Sequence, residues 1–133
     1  IMPWSNLRSI DDGLAVVTAA DAANGGLLLD IWHLARGGVP YADIAKVPAQ
    51  LLKHVELDDA DAEVVGTLLE DTLDRRRLCG EGALDVAAFV RAVQATGYDG
   101  PYGVEIISTA HRQLGLDEAA RVSFDTASAQ FAC

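Results

Sequence analysis

The sequence predicts an α/β fold in which helices cover a parallel sheet. Three short apolar stretches, each bounded by Gly, Pro or Asp, have the composition of buried strands, and they span residues 26–31, 52–57 and 102–107. Stretches with helical periodicity separate them, and strands that alternate with helices are typical of parallel sheets. Half of the 133 residues are hydrophobic, which is enough for one ordinary core. We therefore treat 1–133 as a single unit.

The first predicted helix begins after Ser9. Ser9 and Asp12 have the spacing of a capping box, and an Ala- and Val-rich run follows over 10–23. A short helical turn is expected over 41–46, between the first and second strands. A looser helix is expected over 63–73. Its predicted apolar face comprises Val64, Leu68 and Leu69.

Two further helices are predicted on either side of the third strand. Asp85 is a suitable N-cap for a helix over 86–96, and Gly97 ends the run. The apolar stripe of that helix comprises Val86, Phe89, Val90 and Val93. The last helix is expected to begin near Asp117. Its predicted apolar stripe comprises Ala120, Phe124, Ala127 and Phe131.

The charge balance and the cysteine content exclude several classes of protein. Ten Lys and Arg residues against twenty Asp and Glu residues give a net charge of −10, and such a surface repels nucleic acid. No apolar run approaches the roughly 18 residues that cross a bilayer, and the first residues do not resemble a signal peptide. Cys79 and Cys133 alone build neither a disulfide framework nor a zinc knuckle. We expect a cytoplasmic protein without a nucleic-acid or membrane partner.

Each predicted strand ends on, or close to, a carboxylate. Asp30 belongs to the first strand, Glu56 to the second, where Asp58 and Asp59 follow it, and Glu105 to the third. The carboxyl ends of parallel strands converge on the ligand site of α/β folds. Carboxylates that converge need protons or a cation to offset their repulsion. They predict a site for a hard divalent ion such as Mg²⁺ or Mn²⁺; the alternative is that they cap the following loops and helices.

Two histidines and one loop add further candidates. His33 follows Asp30 by three residues, and it is either a catalytic group or a hydrogen-bonded loop residue. His54 precedes Glu56 by two residues, so the two side chains share one face of a strand. The loop 75–82 joins three consecutive arginines to a Gly-rich turn. Guanidinium groups suit an anionic or hydroxylated substrate, whereas a solvated surface is the alternative.

Six segments of the sequence, taken in order, carry a resemblance to a known family. They are Met2-Pro3-Trp4-Ser5, Leu29-Asp30-Ile31-Trp32-His33-Leu34-Ala35-Arg36-Gly37-Gly38, Val55-Glu56-Leu57-Asp58-Asp59-Ala60, Arg77-Leu78-Cys79-Gly80-Glu81-Gly82, Gly97-Tyr98-Asp99-Gly100-Pro101 and Gly103-Val104-Glu105-Ile106. In order and spacing they resemble the sugar phosphate isomerase/epimerase family, and the resemblance covers essentially the whole chain. It implies a xylose-isomerase-like, parallel (β/α)8 TIM barrel. This chain would form its C-terminal half, about strands six to eight with their helices.

The resemblance also implies a set of metal ligands. Family members bind one divalent ion through a Glu on strand five, an Asp on strand six, a His or Gln on strand seven and a Glu on strand eight. Asp30 matches the strand-six ligand and Glu105 the strand-eight ligand. Glu56 occupies the strand-seven position, where it departs from the usual His or Gln. Three carboxylates favour Mn²⁺ or Mg²⁺, with Co²⁺ and Zn²⁺ as alternatives.

Further roles follow from the same resemblance. His33 matches a substrate-contacting histidine, and Arg76 and Arg77 match the loop of a substrate-anchoring arginine. Glu81, in the same turn, completes the predicted substrate site. The strand-five Glu would precede Ile1, so we expect the N-terminal half of the barrel to be absent from this sequence. A complementing half or a second copy in a homo-oligomer would then cover the open sheet edges.

The implied activity is metal-dependent isomerisation or epimerisation of a small sugar or sugar phosphate through an enediolate. Glu105 and His33 are the predicted catalytic residues. One alternative is a dehydratase of the same family that acts on inososes or 3-dehydroshikimate; another is a non-catalytic half barrel that binds or assembles. A phosphodiesterase of the AP-endonuclease type would need a histidine-rich zinc site and a basic surface, and three histidines with a net charge of −10 argue against it.

Overall fold

Three parallel strands form the sheet, in the order in which the sequence predicts them. A computed structural model describes residues 1–132, and Cys133 lies outside the described residues. The strands β1 (Leu27–Asp30), β2 (Leu52–Leu57) and β3 (Tyr102–Val104) lie side by side with β2 in the middle. Both pairs are parallel, which confirms the sheet that the alternation of strands and helices predicts.

The ends of two strands differ from the prediction. β2 has the predicted bounds, whereas Ile31 begins a helix instead of extending β1. β3 ends at Val104, so Glu105 follows the strand instead of lying within it. The backbone of Glu105 nevertheless stays beside β2, because its N–H donates to Leu57 O at 3.0 Å.

Five α-helices and three 3-10 segments accompany the sheet in the described part of the chain. The α-helices are α1 (Ile10–Ala20), α2 (Ile31–Arg36), α3 (Leu68–Asp74), α4 (Val86–Gln94) and α5 (Leu116–Ala129). The 3-10 segments are Tyr41–Lys46, Ala49–Leu51 and His111–Gln113. The first of these confirms the helical turn predicted at 41–46. Helix α2 was not predicted, and it begins directly where β1 ends.

Helix α1 begins as predicted and ends early. Ser9 and Asp12 form the predicted capping box, with each side chain bonded to the backbone of the other residue. The helix ends at Ala20, before the predicted end of the run at residue 23. The reason is Asp21, which adopts a left-handed conformation with φ of 45° and so stops the helical hydrogen bonding.

Helix α3 begins five residues later than the predicted start at 63. Thr67 and Glu70 form a second capping box, and Gly66 before them has φ of +84°, so the chain turns there. The predicted face shared by Val64 and Leu68 is therefore wrong, because Val64 precedes the helix. Residues before the capping box share the helical periodicity, so a prediction from periodicity alone starts the helix too early. The capping box of Thr67 and Glu70 marks the observed start and is present in the sequence.

Helices α4 and α5 agree with the prediction to different degrees. The Asp85 side chain accepts from Ala88 N, and all four residues of the predicted α4 stripe are buried. In α5 only Ala127 is buried, whereas Phe124 is 70% exposed and Phe131 lies beyond the helix. Phe131 packs edge-on against Tyr102 of β3 at 4.9 Å between ring centroids. The predicted α5 stripe is therefore wrong at Ala120 and Phe124, which are both exposed.

The core lies between the helices and one face of the sheet. Leu27, Leu29, Val55 and Leu57 are buried there, together with the apolar stripe of α4. Side chains alternate along a strand, so the other face receives the intervening residues, of which Leu28, His54 and Glu56 are more exposed than the core residues. The carboxylates described below lie on that second face. Every helix of the described residues is too short or too polar to span a lipid bilayer.

Candidate metal centre and active site

Three carboxylates meet on the open face of the sheet. Asp30 is the register partner of Glu56, and Glu105 follows two residues after Gly103, which is the next partner of Glu56. One oxygen of each carboxylate lies within 4.8 Å of one oxygen of the other two. Asp30 is buried, whereas Glu56 and Glu105 are half-buried and face a cavity. The structure therefore brings together the three residues to which the sequence assigns the metal.

A guanidinium group lies among these carboxylates. Arg76 is 2% exposed, and its Nη1 lies 2.8 Å from Asp30 Oδ2 and 3.0 Å from Glu105 Oε2. Nη1 also contacts Asp58 Oδ2. Because Nη1 carries two hydrogens, it cannot donate a full hydrogen bond to three carboxylates. The cluster therefore has more negative charge than its one arginine can compensate.

The rest of the Arg76 side chain is held by helix α3 and by an indole. Its Nε and Nη2 donate to Thr72 Oγ1 at 3.1 and 2.9 Å. Its Cζ lies 5.4 Å from the centroid of the Trp32 ring, a cation–π geometry. Its backbone N–H donates to Ile107 O at 3.2 Å, which ties the residue to the segment after β3. The sequence predicts a substrate role for Arg76, and the structure places it against the acids instead of in open solvent.

Asp58 also belongs to the cluster, although it is not among the predicted site residues. It is fully buried, and its Oδ1 has no hydrogen-bond partner among the described residues. Burial and the charge of Asp30 raise the pKa of the Asp58 carboxyl well above its usual range, and the charge of Arg76 opposes this. Asp58 follows Glu56 by two residues, so strand alternation could have placed both on one face.

Glu105 is the most accessible member of the cluster. Burial raises the pKa of its carboxyl, as do the charges of Glu56 and Asp30, while Arg76 lowers it. A carboxyl with a raised pKa is a stronger base once ionised, and catalytic carboxylates often have this property. The arrangement therefore suits proton transfer at Glu105.

His33 lies at the edge of the cluster, on helix α2. Asp30 Oδ1 accepts from His33 N at 3.1 Å, so the N-cap bond of α2 fixes the position of the histidine. Its Nε2 lies 3.8 Å from Asp30 Oδ2 and 3.5 Å from Arg76 Nη2. Burial lowers the pKa of His33, against the opposing charge of Asp30. The imidazole is therefore neutral near pH 7 and available for hydrogen bonding to a ligand.

Two of the predicted substrate residues lie elsewhere. Arg77 Nε donates to Asp61 Oδ1 at 2.6 Å, and Arg77 lines a separate cavity of about 420 Å³ beside Ser108. Glu81 is exposed, and its backbone N–H donates to Leu78 O at 3.0 Å in the turn after Arg77. The structure brings neither side chain to the carboxylates. Their assignment to a substrate site stays a prediction.

Asp59 organises the loop that follows Arg76. It is fully buried, and its two carboxylate oxygens accept four backbone hydrogen bonds at 2.8 to 3.0 Å. The donors are the N–H groups of Ala60, Gly80, Gly82 and Leu84. The backbones of Asp59 and Arg77 also exchange two hydrogen bonds. Asp59 thus fixes the loop next to the cluster and has no oxygen directed at the cavity.

A cavity of about 690 Å³ opens in front of the cluster. Asp30, Glu56, Glu105, His33 and Arg76 form its polar lining, and apolar side chains such as Trp4, Leu28 and Leu69 form the rest. His54 also lies on this face, with Nε2 3.9 Å from Glu56 Oε1, as the alternation predicts. A concave apolar surface with a few convergent polar groups is the usual form of a small-molecule site.

Comparisons with known proteins identify the family and the fold. The family model described as xylose isomerase-like TIM barrel matches residues 1–125. An inosose isomerase of Halalkalibacterium halodurans is 26% identical over 124 residues, which make up 93% of this chain and 43% of that protein. A 3-dehydroshikimate dehydratase of Pseudomonas aeruginosa is 36% identical over 98 residues, or 73% of this chain and 15% of that protein.

Solved structures share the fold. The structure of the IOLI protein with a binding zinc atom has a TM-score of 0.83 at 22% identity, and the match covers 99% of this chain and 48% of that one. A fusion of a xylose isomerase-like TIM barrel with 4-hydroxyphenylpyruvate dioxygenase has a TM-score of 0.84 at 25% identity, over 94% of this chain and 20% of that one. The chain therefore spans less than half the length of each of these four relatives.

Proposed function

The chain belongs to the family of xylose isomerase-like TIM barrels, and we propose that it is part of a divalent-metal-dependent isomerase or epimerase of a small sugar or sugar phosphate. The observation that carries the proposal is the convergence of Asp30, Glu56 and Glu105 within 4.8 Å. The match to an inosose isomerase over 93% of this chain supports the reaction class. In this proposal β1, β2 and β3 are strands six to eight of the barrel.

The residues of the cluster fit a divalent ion. All three candidate ligands are carboxylates, and hard ions such as Mn²⁺ and Mg²⁺ prefer such oxygens. The buried Oδ1 of Asp58 has no partner within residues 1–132, and Arg76 Nη1 is shared by three carboxylates, so the cluster lacks positive charge. We propose that Asp30, Glu56 and Glu105 hold the ion. Zn²⁺ and Co²⁺ belong in the same tests, since the IOLI structure contains zinc.

The ion would supply a Lewis acid that polarises the carbonyl group of the substrate. Glu105, exposed to the cavity and with a raised pKa, takes the proton from the carbon next to that carbonyl. His33, neutral near pH 7, donates or accepts a hydrogen bond at a substrate hydroxyl. Once the rest of a barrel covers the cavity, its apolar walls would exclude water from the reacting carbons.

The remaining substrate and assembly assignments belong to the same proposal. Arg77 and Glu81 lie on the loop that Asp59 holds, and their assignment to the substrate site is part of this proposal. The outer edges of β1 and β3 have no partner strand among the described residues. We propose that the rest of a barrel, from a complementing half or from a second copy, pairs with these edges and closes the cavity over the carboxylates.

Two alternatives are favoured by specific observations. The 36% identity to a 3-dehydroshikimate dehydratase favours a dehydratase, which would use the same proton abstraction by Glu105. The contacts of Arg76 with Asp30 and Glu105 favour a non-catalytic binding or assembly module, because an arginine that pairs with the acids compensates part of their charge without an ion. Metal retention distinguishes this second alternative from the two enzymatic ones.

The first test is the metal content of the purified protein after incubation with Mn²⁺ and exhaustive dialysis. We expect about one ion per chain in the parent and strong loss in Glu105→Gln, which keeps the shape of the side chain but removes a ligand charge. Glu63→Gln, an exposed surface change, is the matched control and should retain the ion. Equal retention by Glu105→Gln and the parent would refute the assignment of Glu105.

A second measurement tests the chemistry. Incorporation of solvent deuterium next to the carbonyl of candidate ketoses, inososes and 3-dehydroshikimate, followed by NMR, reports proton abstraction whatever the final product is. We expect exchange that depends on both Mn²⁺ and Glu105. Retention of the ion without exchange on any of these compounds would contradict the proposed proton abstraction at Glu105.

A further inference from the structure

Arg76 extends its guanidinium between the carboxylates that the proposed ion would use. We propose that Arg76 and the divalent ion compete for these carboxylates, so that Arg76 sets the metal affinity of the site. In the metal-free protein the arginine compensates the acids, and ion binding replaces its contacts with Asp30 and Glu105. This inference rests on the proposed metal site and adds to it a residue that tunes how tightly the ion is held.

Arg76 Nη1 carries two hydrogens. Asp30 Oδ2 at 2.8 Å, Glu105 Oε2 at 3.0 Å and Asp58 Oδ2 all contact this one nitrogen. Two N–H groups serve at most two of these acceptors well. One carboxylate is therefore always poorly compensated, and Arg76 is an incomplete substitute for a divalent cation.

Both carboxylate oxygens of Asp30 already accept a hydrogen bond. Its Oδ1 accepts from His33 N at 3.1 Å, which caps helix α2, and its Oδ2 accepts from Arg76. An ion bound to Oδ2 would lie a few ångströms from the guanidinium, and two cations at that distance repel. Since the cap bond belongs to the backbone of α2, the contact with Arg76 is the one that yields.

Replacement of the Arg76 contacts by the ion needs little movement of the side chain. Thr72 Oγ1 holds Nε and Nη2, and the indole of Trp32 lies under the guanidinium. These contacts are independent of the three carboxylates. A small rotation of the guanidinium therefore breaks the contacts of Nη1 while Thr72 keeps the side chain in place. The backbone bond from Arg76 N to Ile107 O is unaffected.

The opposite view makes a different prediction. If Arg76 were a structural tie that draws Asp30, Asp58 and Glu105 together for the ion, its removal would separate the carboxylates and weaken metal binding. Competition predicts that its removal strengthens metal binding. The sign of the change therefore separates the two roles.

The experiment measures Mn²⁺ binding by isothermal titration calorimetry in the parent, Arg76→Gln and Arg76→Lys. We expect Arg76→Gln to tighten the dissociation constant by about tenfold or more, because a repulsive charge beside the ion is removed. Arg76→Lys keeps the charge and should stay within a few-fold of the parent. Arg36→Gln, which removes a half-buried arginine that pairs with Asp71 instead, is the matched control and should leave the affinity unchanged.

A second readout covers a variant that folds poorly without metal. Removal of Arg76 leaves buried acids uncompensated, so we expect a lower thermal midpoint for metal-free Arg76→Gln and a larger rise on addition of Mn²⁺ than in the parent. Equal or weaker Mn²⁺ binding by Arg76→Gln, with the parent binding well, would overturn the competition and leave the metal site intact. Absence of binding in both proteins would overturn the proposed function itself.

Discussion

Asp59 allows a sharp test of how the loop beside the cluster is held. Its Oδ1 accepts from Ala60 N and Leu84 N, and its Oδ2 accepts from Gly80 N and Gly82 N. Asp59→Asn replaces one acceptor oxygen by an NH2 group. Whichever way the amide is oriented, two backbone N–H groups then face a donor.

The expected cost follows from those bonds. Hydrogen bonds to a charged group contribute about 1.5–3 kcal/mol each, and a buried donor without an acceptor costs about 1–3 kcal/mol. Two lost hydrogen bonds in a fully buried position should therefore lower the free energy of unfolding by about 3 kcal/mol or more. This is a large fraction of the roughly 5–15 kcal/mol by which domains are stable.

Urea unfolding followed by circular dichroism measures the change, with Asp61→Asn as the control. Asp61 lies two residues further along and pairs with Arg75 and Arg77 at the surface, so its loss should cost about 0–1 kcal/mol. A free energy of unfolding of Asp59→Asn within about 0.5 kcal/mol of the parent value would refute this role of Asp59. Such a result would mean that the four N–H groups find other partners, such as water.

Two further substitutions test local parts of the same structure. Gly82→Ala should lower the free energy of unfolding by about 1–3 kcal/mol, because the added Cβ would collide with Asp59 Oδ1 and Ala60 O. Gly115→Ala is the control, since an added Cβ there meets no described atom within 4 Å. It should change the free energy of unfolding by less than about 1 kcal/mol in the same urea assay. Ser9→Ala should lower the thermal midpoint at pH 7 and have a smaller effect at pH 3. The Ser9 hydroxyl and the backbone N–H groups of Arg8 and Ser9 lower the pKa of Asp12, so the capping box stabilises above the usual carboxyl pKa and is lost as the pH falls.

The elements that could be predicted from the sequence are those with a local signal. The capping box of Ser9, the Asp85 cap and the short apolar strands each depend on neighbours within a few residues, and all three are present. Helix α2 was missed because Asp30 both ends β1 and caps the helix, so no loop separates the two elements. The exposure of Phe124 depends on how α5 lies against the sheet, which periodicity alone does not contain.

The site also contains some features that the sequence predicts and others that depend on distant contacts. The convergence of Asp30, Glu56 and Glu105 follows from the parallel sheet, since equivalent ends of neighbouring strands lie together. The position of Arg76 depends on the path of the chain after α3 and on a backbone bond to Ile107, 31 residues away by number, so no local pattern predicts it. The metal role of the three carboxylates and the substrate role of Arg76 stay predictions.

The shortage of positive charge connects the separate observations at this site. One nitrogen of Arg76 serves three carboxylates, and Asp58 has an oxygen without a partner in the part of the chain that the structure describes. The pKa values of Asp58 and Glu105 are raised, with burial as the first cause of each. Protons and a divalent ion are the two ways to relieve such a shortage. Because protons become scarce as the pH rises, the ion should gain importance with rising pH. Arg76 then has a consistent role on either side of that change: it compensates the acids when no ion is bound and opposes the ion when one arrives.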